Sequence, residues 1–310
     1  MKKIAFFTAV FSALTLTACD DLKKESGNFS LDITDGPVDE ASEIVISFTG
    51  VELEGPDLEN PEDEPTTIMF DTAKNINLLE YQGTDSTPLL EDISLAQGEY
   101  ESIRLLIDSD ASYILINGAQ QPLSLAVGSE DDLQINKTFN SGGGLQNNFT
   151  IDFDLRKSIT LVDETNYQLT PSLRLVENSE VGSLEGTVEE DFVLDNNCDN
   201  GSNNDTGNAV YIFEGSDAAV QDIFGTSSQN PITTAKVTYN DADEEYEFVV
   251  GFLEAGSYTV AFTCDARRDT PNIDEVEESI MEFSNGVNVT IGATDNNEVH
   301  ITEETTSDSI

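Results

Sequence analysis

The sequence predicts an all-β fold made of two consecutive β-sandwich domains. Apolar and polar residues alternate along several short stretches, most regularly over 149–155, as expected for strands buried on one face. The chain has 310 residues, which is enough for two domains that each bury a core. A similar six-residue phrase occurs at 95–100 and at 253–258, which indicates that both halves use the same turn into a strand.

The first domain is predicted over residues 28–176. Asn117-Gly118 separates two apolar runs and is typical of a two-residue type I′ hairpin turn. Residues 54–67 combine three prolines with six acids and predict a solvated loop. The alternating runs that predict strands are 29–33, 44–48, 103–107 and 149–155, with Thr150, Asp152 and Asp154 turned outward in the last.

A linker is predicted at 177–183, a second domain at 184–301 and a disordered polar tail at 302–310. One short helix is expected at 218–224, because Ser216 or Asp217 can cap its start and a glycine follows its end. The strands expected in this domain are 209–213, 232–239, 246–252, 258–262 and 287–291.

The repeated phrase carries a glycine and a tyrosine in each half. Gly98 and Gly256 permit a tight turn with positive φ. Tyr100 and Tyr258 can pack inward while their hydroxyls bond nearby backbone, as tyrosines do at sandwich corners.

The N-terminus has the design of a secretion signal. Lys2 and Lys3 precede an apolar run, and Leu16-Thr17-Ala18-Cys19 closes it. This ending resembles the lipobox of bacterial lipoproteins. The resemblance implies that residues 1–18 are removed, that Cys19 is lipidated and acylated (palmitate), and that 19–27 form a short tether. It places the protein in the bacterial cell envelope, on the membrane through its lipid, facing the periplasm or the cell surface. Asp20 resembles an inner-membrane retention signal.

The net charge limits the partners. The chain holds 13 Lys and Arg against 61 Asp and Glu, a net charge of −48. Nucleic acid is excluded as a partner, because phosphate binding needs a basic patch and the basic residues do not form one. We interpret the acidity first as solubility in a salty medium. The alternative is the binding of divalent cations.

Three cysteines are present, and lipidation would use Cys19. Cys198 and Cys264 then form an even pair in an oxidising compartment, which predicts one disulfide. A metal site on the two thiols is the weaker reading, since the single histidine, His300, lies far away in sequence.

Residues 195–205 are dense in the hard oxygen ligands that Ca²⁺ prefers. The spacing does not match an EF-hand loop, and Asp/Asn/Gly runs are also typical of plain exposed loops, which we favour. Calcium is therefore the one cofactor considered, with the disulfide bringing the loop near Asp265, Asp269, Asp274 and Glu275, which could complete a site. Its candidate ligands are Asp195, Asn197, Asp199 and Asp205.

No catalytic residue is assigned, and we predict that the protein is not an enzyme. Nucleophile elbow, zinc-helix, phosphate-loop and dinucleotide motifs do not occur. Asp152 and Asp154 lie two apart on one strand and so share a face, a geometry that paired-carboxylate catalysis could use. Outward acids on a sandwich strand are far more common. Arg104 is expected to pair with Asp108 or Asp154, and the alternative is that it faces a carboxylated ligand.

Two family resemblances extend this interpretation. An ordered series of blocks lies within residues 28–176, at 30–39, 45–52, 77–79, 98–105, 151–156 and 169–174. It resembles the bacterial lipoprotein domain catalogued as domain of unknown function 4382, which implies a secreted β-sandwich and brings no known activity. Three blocks of the second half, 184–188, 209–211 and 253–260, are similar to the transthyretin-like repeats found beside carboxypeptidases, which are non-catalytic Ig/transthyretin-like sandwiches.

Together these features predict a lipid-anchored, non-catalytic binding or structural module of the cell envelope. Its partner would be an envelope protein or a polysaccharide. The alternatives are a glycan-binding or glycan-cleaving protein and a calcium-dependent adhesion module. Because the chain has no tryptophan, a carbohydrate platform would have to come from tyrosines such as Tyr81, Tyr113 or Tyr239.

Overall fold

The computed structural model is almost entirely β-structure, which confirms the predicted fold class. Residues 1–25, which hold the predicted signal peptide, Cys19 and most of the tether, lie outside the described residues. So do residues 57–64 of the predicted acidic loop. The structure describes residues 26–38, 41–56, 65–130, 133–163, 166–195, 197–201, 206–224, 227–269 and 281–307.

In the described residues, twenty strands and three short α-helices follow one another, with single 3-10 turns at Leu78–Glu80 and Ala266–Arg268. The first half contains β1 (Gly27–Gly36), β2 (Ala41–Glu54), β3 (Thr66–Asn77), β4 (Thr87–Leu95), β5 (Gly98–Ile107), β6 (Tyr113–Ile116), β7 (Ala119–Leu125), β8 (Gln134–Ser141), β9 (Gln146–Asp154), α1 (Leu155–Ser158), β10 (Ile159–Leu161), β11 (Tyr167–Leu169) and β12 (Leu173–Glu177). The second half contains β13 (Val181–Val188), α2 (Glu190–Val193), β14 (Ala209–Glu214), β15 (Thr233–Lys236), β16 (Thr238–Asn240), β17 (Glu245–Glu254), β18 (Gly256–Thr263), β19 (Val287–Ile291), β20 (Asn296–Ile301) and α3 (Glu303–Ser307).

In the first half a four-stranded sheet, β12-β9-β1-β4, packs against an eight-stranded one. The larger sheet has the order β10-β11-β7-β6-β2-β5-β8, and β3 pairs with β2. β1 and β9 are parallel, whereas the other neighbours in the smaller sheet are antiparallel. Period-two alternation sends one face of each sheet into a shared core. That core includes Phe29, Leu31, Ile33, Ile44, Ile46, Phe48, Phe149, Ile151 and Phe153.

The second half repeats the two-layer design with two four-stranded sheets. Their orders are β16-β17-β13-β20 and β15-β14-β18-β19. The core between them includes Leu184, Val210, Ile212, Phe248, Val260 and Phe262. A smaller cluster around Tyr211, Ile223 and Met281 covers the outer face of the second sheet.

The repeated phrase folds as the sequence predicts at its tyrosines. The Tyr100 hydroxyl donates to the carbonyl of Ala96 at 3.3 Å, and the Tyr258 hydroxyl donates to the carbonyl of Glu254 at 2.7 Å. Gly98 has a φ of +154°, whereas Gly256 is not among the residues of positive φ, so the predicted turn conformation is wrong there. The two sandwiches therefore share the hydrogen bond from the corner tyrosine to a backbone carbonyl, but not the glycine conformation.

The hairpin prediction is confirmed, since Asn117 and Gly118 have φ values of 50° and 74° and join β6 to β7. The linker prediction at 177–183 is too long. Glu177 closes β12 and Val181 opens β13, so only residues 178–180 lie between the two strands.

The predicted helix at 218–224 is wrong. The backbone N–H of Ala218 donates to Thr259 Oγ1 at 3.0 Å and that of Phe224 donates to Asn230 Oδ1 at 2.8 Å, so these donors are used in tertiary bonds rather than in helical ones.

The tail prediction is wrong over residues 303–307, which form α3. The Thr305 N–H donates to Thr302 Oγ1 at 3.1 Å, the bond that caps a helix start. Residues 308–310 lie outside the described part of the chain.

Candidate functional site

Basic side chains bridge the two sandwiches where they meet. Nine of the 13 basic residues lie in the described part of the chain, and four of them bond from the first half to the second. The acceptors in the second half are mostly backbone carbonyls. The four are Lys137, Arg156, Lys157 and Arg174. We call this set of contacts the junction.

Arg174 on β12 links both halves. It lies directly opposite Asp152 of β9 in the sheet register, and its Nη2 is 2.8 Å from Asp152 Oδ2. Its Nη1 donates to the carbonyl of Phe252 on β17 at 2.6 Å. Phe252 has a φ of 56°, a conformation that side chains other than glycine rarely adopt. Phe252 lies within β17 where its register with β13 shifts, so the arginine holds a strained irregularity of this strand against the first sandwich.

The turn after β9 supplies two further cations. Asp154 caps α1 by accepting the N–H of Lys157, and its carboxylate pairs with Lys157 Nζ at 2.8 Å. The same Nζ donates to the carbonyl of Ile232 at 2.9 Å. Because α1 starts at this cap, its consecutive side chains Arg156 and Lys157 both reach the second sandwich.

Arg156 is the most deeply inserted cation, with 6% of its surface exposed. Its Nη1 donates to the carbonyl of Ala266 at 3.0 Å and its Nε donates to Thr234 Oγ1 at 3.3 Å. The guanidinium lies 5.9 Å from the ring centroid of Tyr211. These contacts offset the cost of removing a guanidinium from water.

Backbone also approaches closely at the junction. A Cβ on Gly251 of β17 would collide with the carbonyl oxygen of Gly83 and lie 3.0 Å from the Cα of Thr84. Glycine at 251 therefore allows β17 to lie against the 82–86 loop of the first sandwich.

Two carboxyl groups at the junction have raised pKa values. Burial raises the pKa of Asp35 well above its ordinary value, with Asp152 and Asp154 adding repulsion, although a bond from the Leu155 N–H opposes the shift. Burial raises the pKa of Asp269 to about 6, against the bond from the Tyr211 hydroxyl and the charge of Arg156. The junction thus contains acids that the fold favours in protonated form.

A cleft of about 270 Å³ opens between the sandwiches beside these groups. Its floor includes Asp35 and Asp152, and its walls come from Gln82, β15 and β17. Asp152 and Asp154 were predicted to face outward, and this is wrong: each is 4% exposed, because the second sandwich covers that face of β9. The carboxylates of Asp152 and Asp154 are each paired with a cation that also bonds the second sandwich, so the arrangement cross-links the halves.

Arg104 pairs with an acid as expected, but with a different one. Its Nε lies 3.6 Å from Glu52, which is opposite on β2, and not beside Asp108 or Asp154. It serves the larger sheet of the first sandwich and not the junction.

The predicted disulfide between Cys198 and Cys264 is present, with the two Cα atoms 5.2 Å apart. It holds the 195–201 segment near Asp265, whose Oδ1 accepts the N–H of Asp199 at 3.1 Å. The link fixes the loop to the end of β18.

Three of the four candidate calcium ligands, Asp195, Asn197 and Asp199, lie in the described residues. Asp199 pairs with Arg268 at 3.3 Å and Arg267 at 3.7 Å, and Asp195 accepts the N–H of Asn197 in a local turn. Asp205 lies outside the described residues. Within the part of the chain that the structure covers, no three His, Cys, Asp or Glu side chains group as metal ligands do. Calcium at this loop stays a prediction.

Sequence reasoning missed the junction cations. The available signal was their scarcity: Arg156-Lys157 is a basic pair directly after an alternating strand in a strongly acidic chain, and Arg174 follows soon after. In a chain with few basic residues, a basic residue close in sequence to two acids on a strand is a candidate ion-pair partner for those acids.

These features define a protein of two β-sandwiches joined by a charged junction. Residues 26–171 match the family model described as Domain of unknown function (DUF4382), which covers most of the first sandwich. No curated protein matches the sequence. No helix among the described residues has both the length and the apolar character needed to cross a membrane.

Solved structures resemble the chain only distantly. A candidate adhesin from Bacteroides ovatus is 8% identical with a TM-score of 0.27, and the match covers 96% of each chain. A candidate cell-adhesion protein from Bacteroides eggerthii is 11% identical with a TM-score of 0.21, covering 89% of this chain and 85% of that one. The minor pilin of Streptococcus agalactiae is 9% identical with a TM-score of 0.18, covering 88% and 94%. All three scores lie below 0.5, so no inference rests on them.

Proposed function

We propose that the protein is a non-catalytic module of the bacterial cell envelope, anchored by a lipid on Cys19, whose two sandwiches act as one rigid body. The junction is the observation that carries the proposal. Its strongest candidate catalytic groups, Asp152 and Asp154, are buried and each is paired with a cation. Ion pairs arranged in this way stabilise the contact between the two sandwiches.

The direction of the first sandwich supports an anchored, outward-extending module. β1 begins at Gly27, next to the tether, and ends at Gly36, where a Cβ would lie 3.6 Å from Thr233 Oγ1 of the second sandwich. At ~3.3 Å per residue the strand spans roughly 30 Å. The first sandwich therefore acts as a spacer between the lipid and the second sandwich.

Metabolic labelling tests the anchor. Cells that express the full-length protein with labelled palmitate should yield a labelled membrane-bound band, and Cys19→Ala should abolish both the label and the membrane fraction. Cys198→Ala is the matched control, because it removes a thiol from the disulfide and leaves the lipobox intact. An unlabelled wild-type protein in the soluble fraction would refute the anchor. Protease accessibility then tests whether Asp20 retains the protein at the inner membrane.

A further inference from the structure

A groove on the second sandwich has the features of a ligand site. It has a volume of about 400 Å³. Residues of β13, β16, β17 and β20 line it, together with residues of the segments next to these strands. Tyr239 of the edge strand β16 lies directly opposite Tyr246 of β17, with their ring centroids 5.0 Å apart and an angle of 62° between the rings. The polar lining comes from Thr187, Glu189, Glu190, Glu244, Glu245 and His300.

The two tyrosines present different surfaces to this groove. Tyr239 is 49% exposed, one of few large apolar side chains in the described residues left so open. Tyr246 is 8% exposed and its ring belongs to the core of the second sandwich. Tyr246 packs edge-on against Tyr239, a contact that supports the exposed ring as a platform.

The Tyr246 hydroxyl has no hydrogen-bond partner among the described residues, and although the residue is only 8% exposed, the hydroxyl is not among the fully buried unpaired atoms and so is accessible from the groove that it lines. The two corner tyrosines, Tyr100 and Tyr258, each donate to a backbone carbonyl. A polar tip left unpaired at the end of a buried ring is a group that a ligand can satisfy.

We propose that this groove binds a sugar unit of a neutral or amino-bearing polysaccharide. The apolar C–H face of a pyranose fits against the exposed Tyr239 ring. Sugar hydroxyls can donate to the carboxylates of Glu190 and Glu245 and bond the Tyr246 hydroxyl. Acidic polysaccharides are excluded, because four glutamates line the groove and the chain carries a net charge of −48.

The position of the groove suits a polymer away from the anchoring membrane. Phe252 and Gly251 of β17 lie at the junction, and Tyr246 lies six residues back along the same strand. At ~3.3 Å per residue Tyr246 lies roughly 20 Å along the strand from Phe252, and the cleft between the sandwiches extends along β17 as far as Glu247. The inference gives a ligand to the binding module proposed above, and rests on that proposal only for its cellular setting.

Calorimetric titration of the full-length protein with defined hexasaccharides tests the inference. The probes are hexamers of glucose in α and β linkage, mannose, xylose and glucosamine, with hexagalacturonate as the acidic comparison. We expect at least one neutral or amino-sugar probe to bind and hexagalacturonate not to bind. If none of the neutral or amino-sugar probes binds at millimolar concentration, the inference is overturned, while the palmitate result for Cys19 is unaffected.

Four variants locate the binding. Tyr239→Ala should weaken it about tenfold or more through loss of the stacking surface, whereas Tyr239→Phe should bind like the wild type. Tyr246→Phe should weaken binding about two- to tenfold through loss of one hydrogen bond. Tyr113→Ala is the matched control, since it also removes a tyrosine ring, but one that lies on the first sandwich, where its hydroxyl donates to Glu43.

Unchanged affinity in Tyr239→Ala, with its thermal midpoint also unchanged, would overturn the site. Hexalysine is titrated in parallel. Binding of hexalysine that depends on Tyr239, in the absence of any bound saccharide, would replace the sugar with a cationic peptide and contradict the proposal.

Discussion

Arg174 donates to the carbonyl of Phe252 at 2.6 Å, and this bond joins the last strand of the first sandwich to a residue of the second that has a φ of 56°. The same guanidinium neutralises Asp152 at 2.8 Å. One side chain thus compensates a buried acid in one sandwich and stabilises a strained backbone in the other. Because both partners depend on it, we expect Arg174 to dominate the energetics of the junction.

Arg174→Met should therefore destabilise the protein by about 3 kcal/mol, the lower end of the cost of breaking a buried ion pair, since the arginine is partly exposed. Urea unfolding measures this free energy. Adding Asp152→Asn to Arg174→Met should recover part of the loss, because it removes the uncompensated charge. Lys137→Met is the control: its pair with Glu254 spans 3.8 Å between exposed groups and should contribute under about 1 kcal/mol. Equal losses in the two single variants would contradict the assignment.

Gly251→Ala should separate the sandwiches without altering any charge. The added Cβ meets the Gly83 carbonyl, a backbone atom that cannot rotate away, while φ at Gly251 lies outside the left-handed region and suits alanine. We expect the wild type to unfold in one calorimetric transition and this variant in two. Gly256→Ala is the matched control, because its Cβ would lie no nearer than 3.6 Å to the side chain of Tyr258. A single unshifted transition in Gly251→Ala would show that the close approach does not hold the halves together.

Asp269 should make stability fall as the pH rises. Its pKa is raised to about 6 from 3.8, so the native state binds a proton that the unfolded chain has already lost between these values. The stabilisation is complete below pH 3.8 and is lost as the pH passes through about 6. Asp269→Asn keeps an acceptor for the Tyr211 hydroxyl and should flatten this part of the profile. Denaturant unfolding at several pH values measures it, and parallel profiles for the two proteins would contradict the raised pKa.

The corner tyrosines should differ in their contribution. The Tyr258 hydroxyl lies 2.7 Å from its carbonyl and the Tyr100 hydroxyl 3.3 Å from its own. Tyr258→Phe should cost about 1 kcal/mol and Tyr100→Phe less, because the longer bond is weaker. Thermal unfolding of both variants gives the comparison. A larger loss for Tyr100→Phe would show that the hydroxyl bonds are not the source of the effect.

The sequence was sufficient for features set by neighbouring residues. Alternation along 149–155 predicts the strand, Asn117-Gly118 predicts the turn, and the two corner tyrosines are predicted from their repeated phrase. These depend on local geometry, which the chain carries in every stretch of a few residues. The conformation of Gly256 could not be predicted from the phrase, because the backbone that leads into the same phrase can differ between the two halves.

The junction could not be predicted from neighbouring residues in the same way. Period two separates the two faces of β9 but does not tell whether a second domain covers the outer one. Asp152 and Asp154 look solvated until residues 232–252, nearly a hundred positions later, fold against them. Burial by a segment that is distant in sequence depends on the tertiary structure. The local pattern around Asp152 and Asp154 therefore could not show that these acids lie at the junction.

The most direct test of the rigid junction is a distance measurement between the two sandwiches. Spin labels at Leu145 and Leu194, both exposed and on different halves, report it by double electron–electron resonance in a Cys19→Ser chain. The account predicts one narrow distance distribution for this protein and a broad one after Arg174→Met with Gly251→Ala. A broad distribution without those substitutions would show that the sandwiches move independently, and would contradict the central claim.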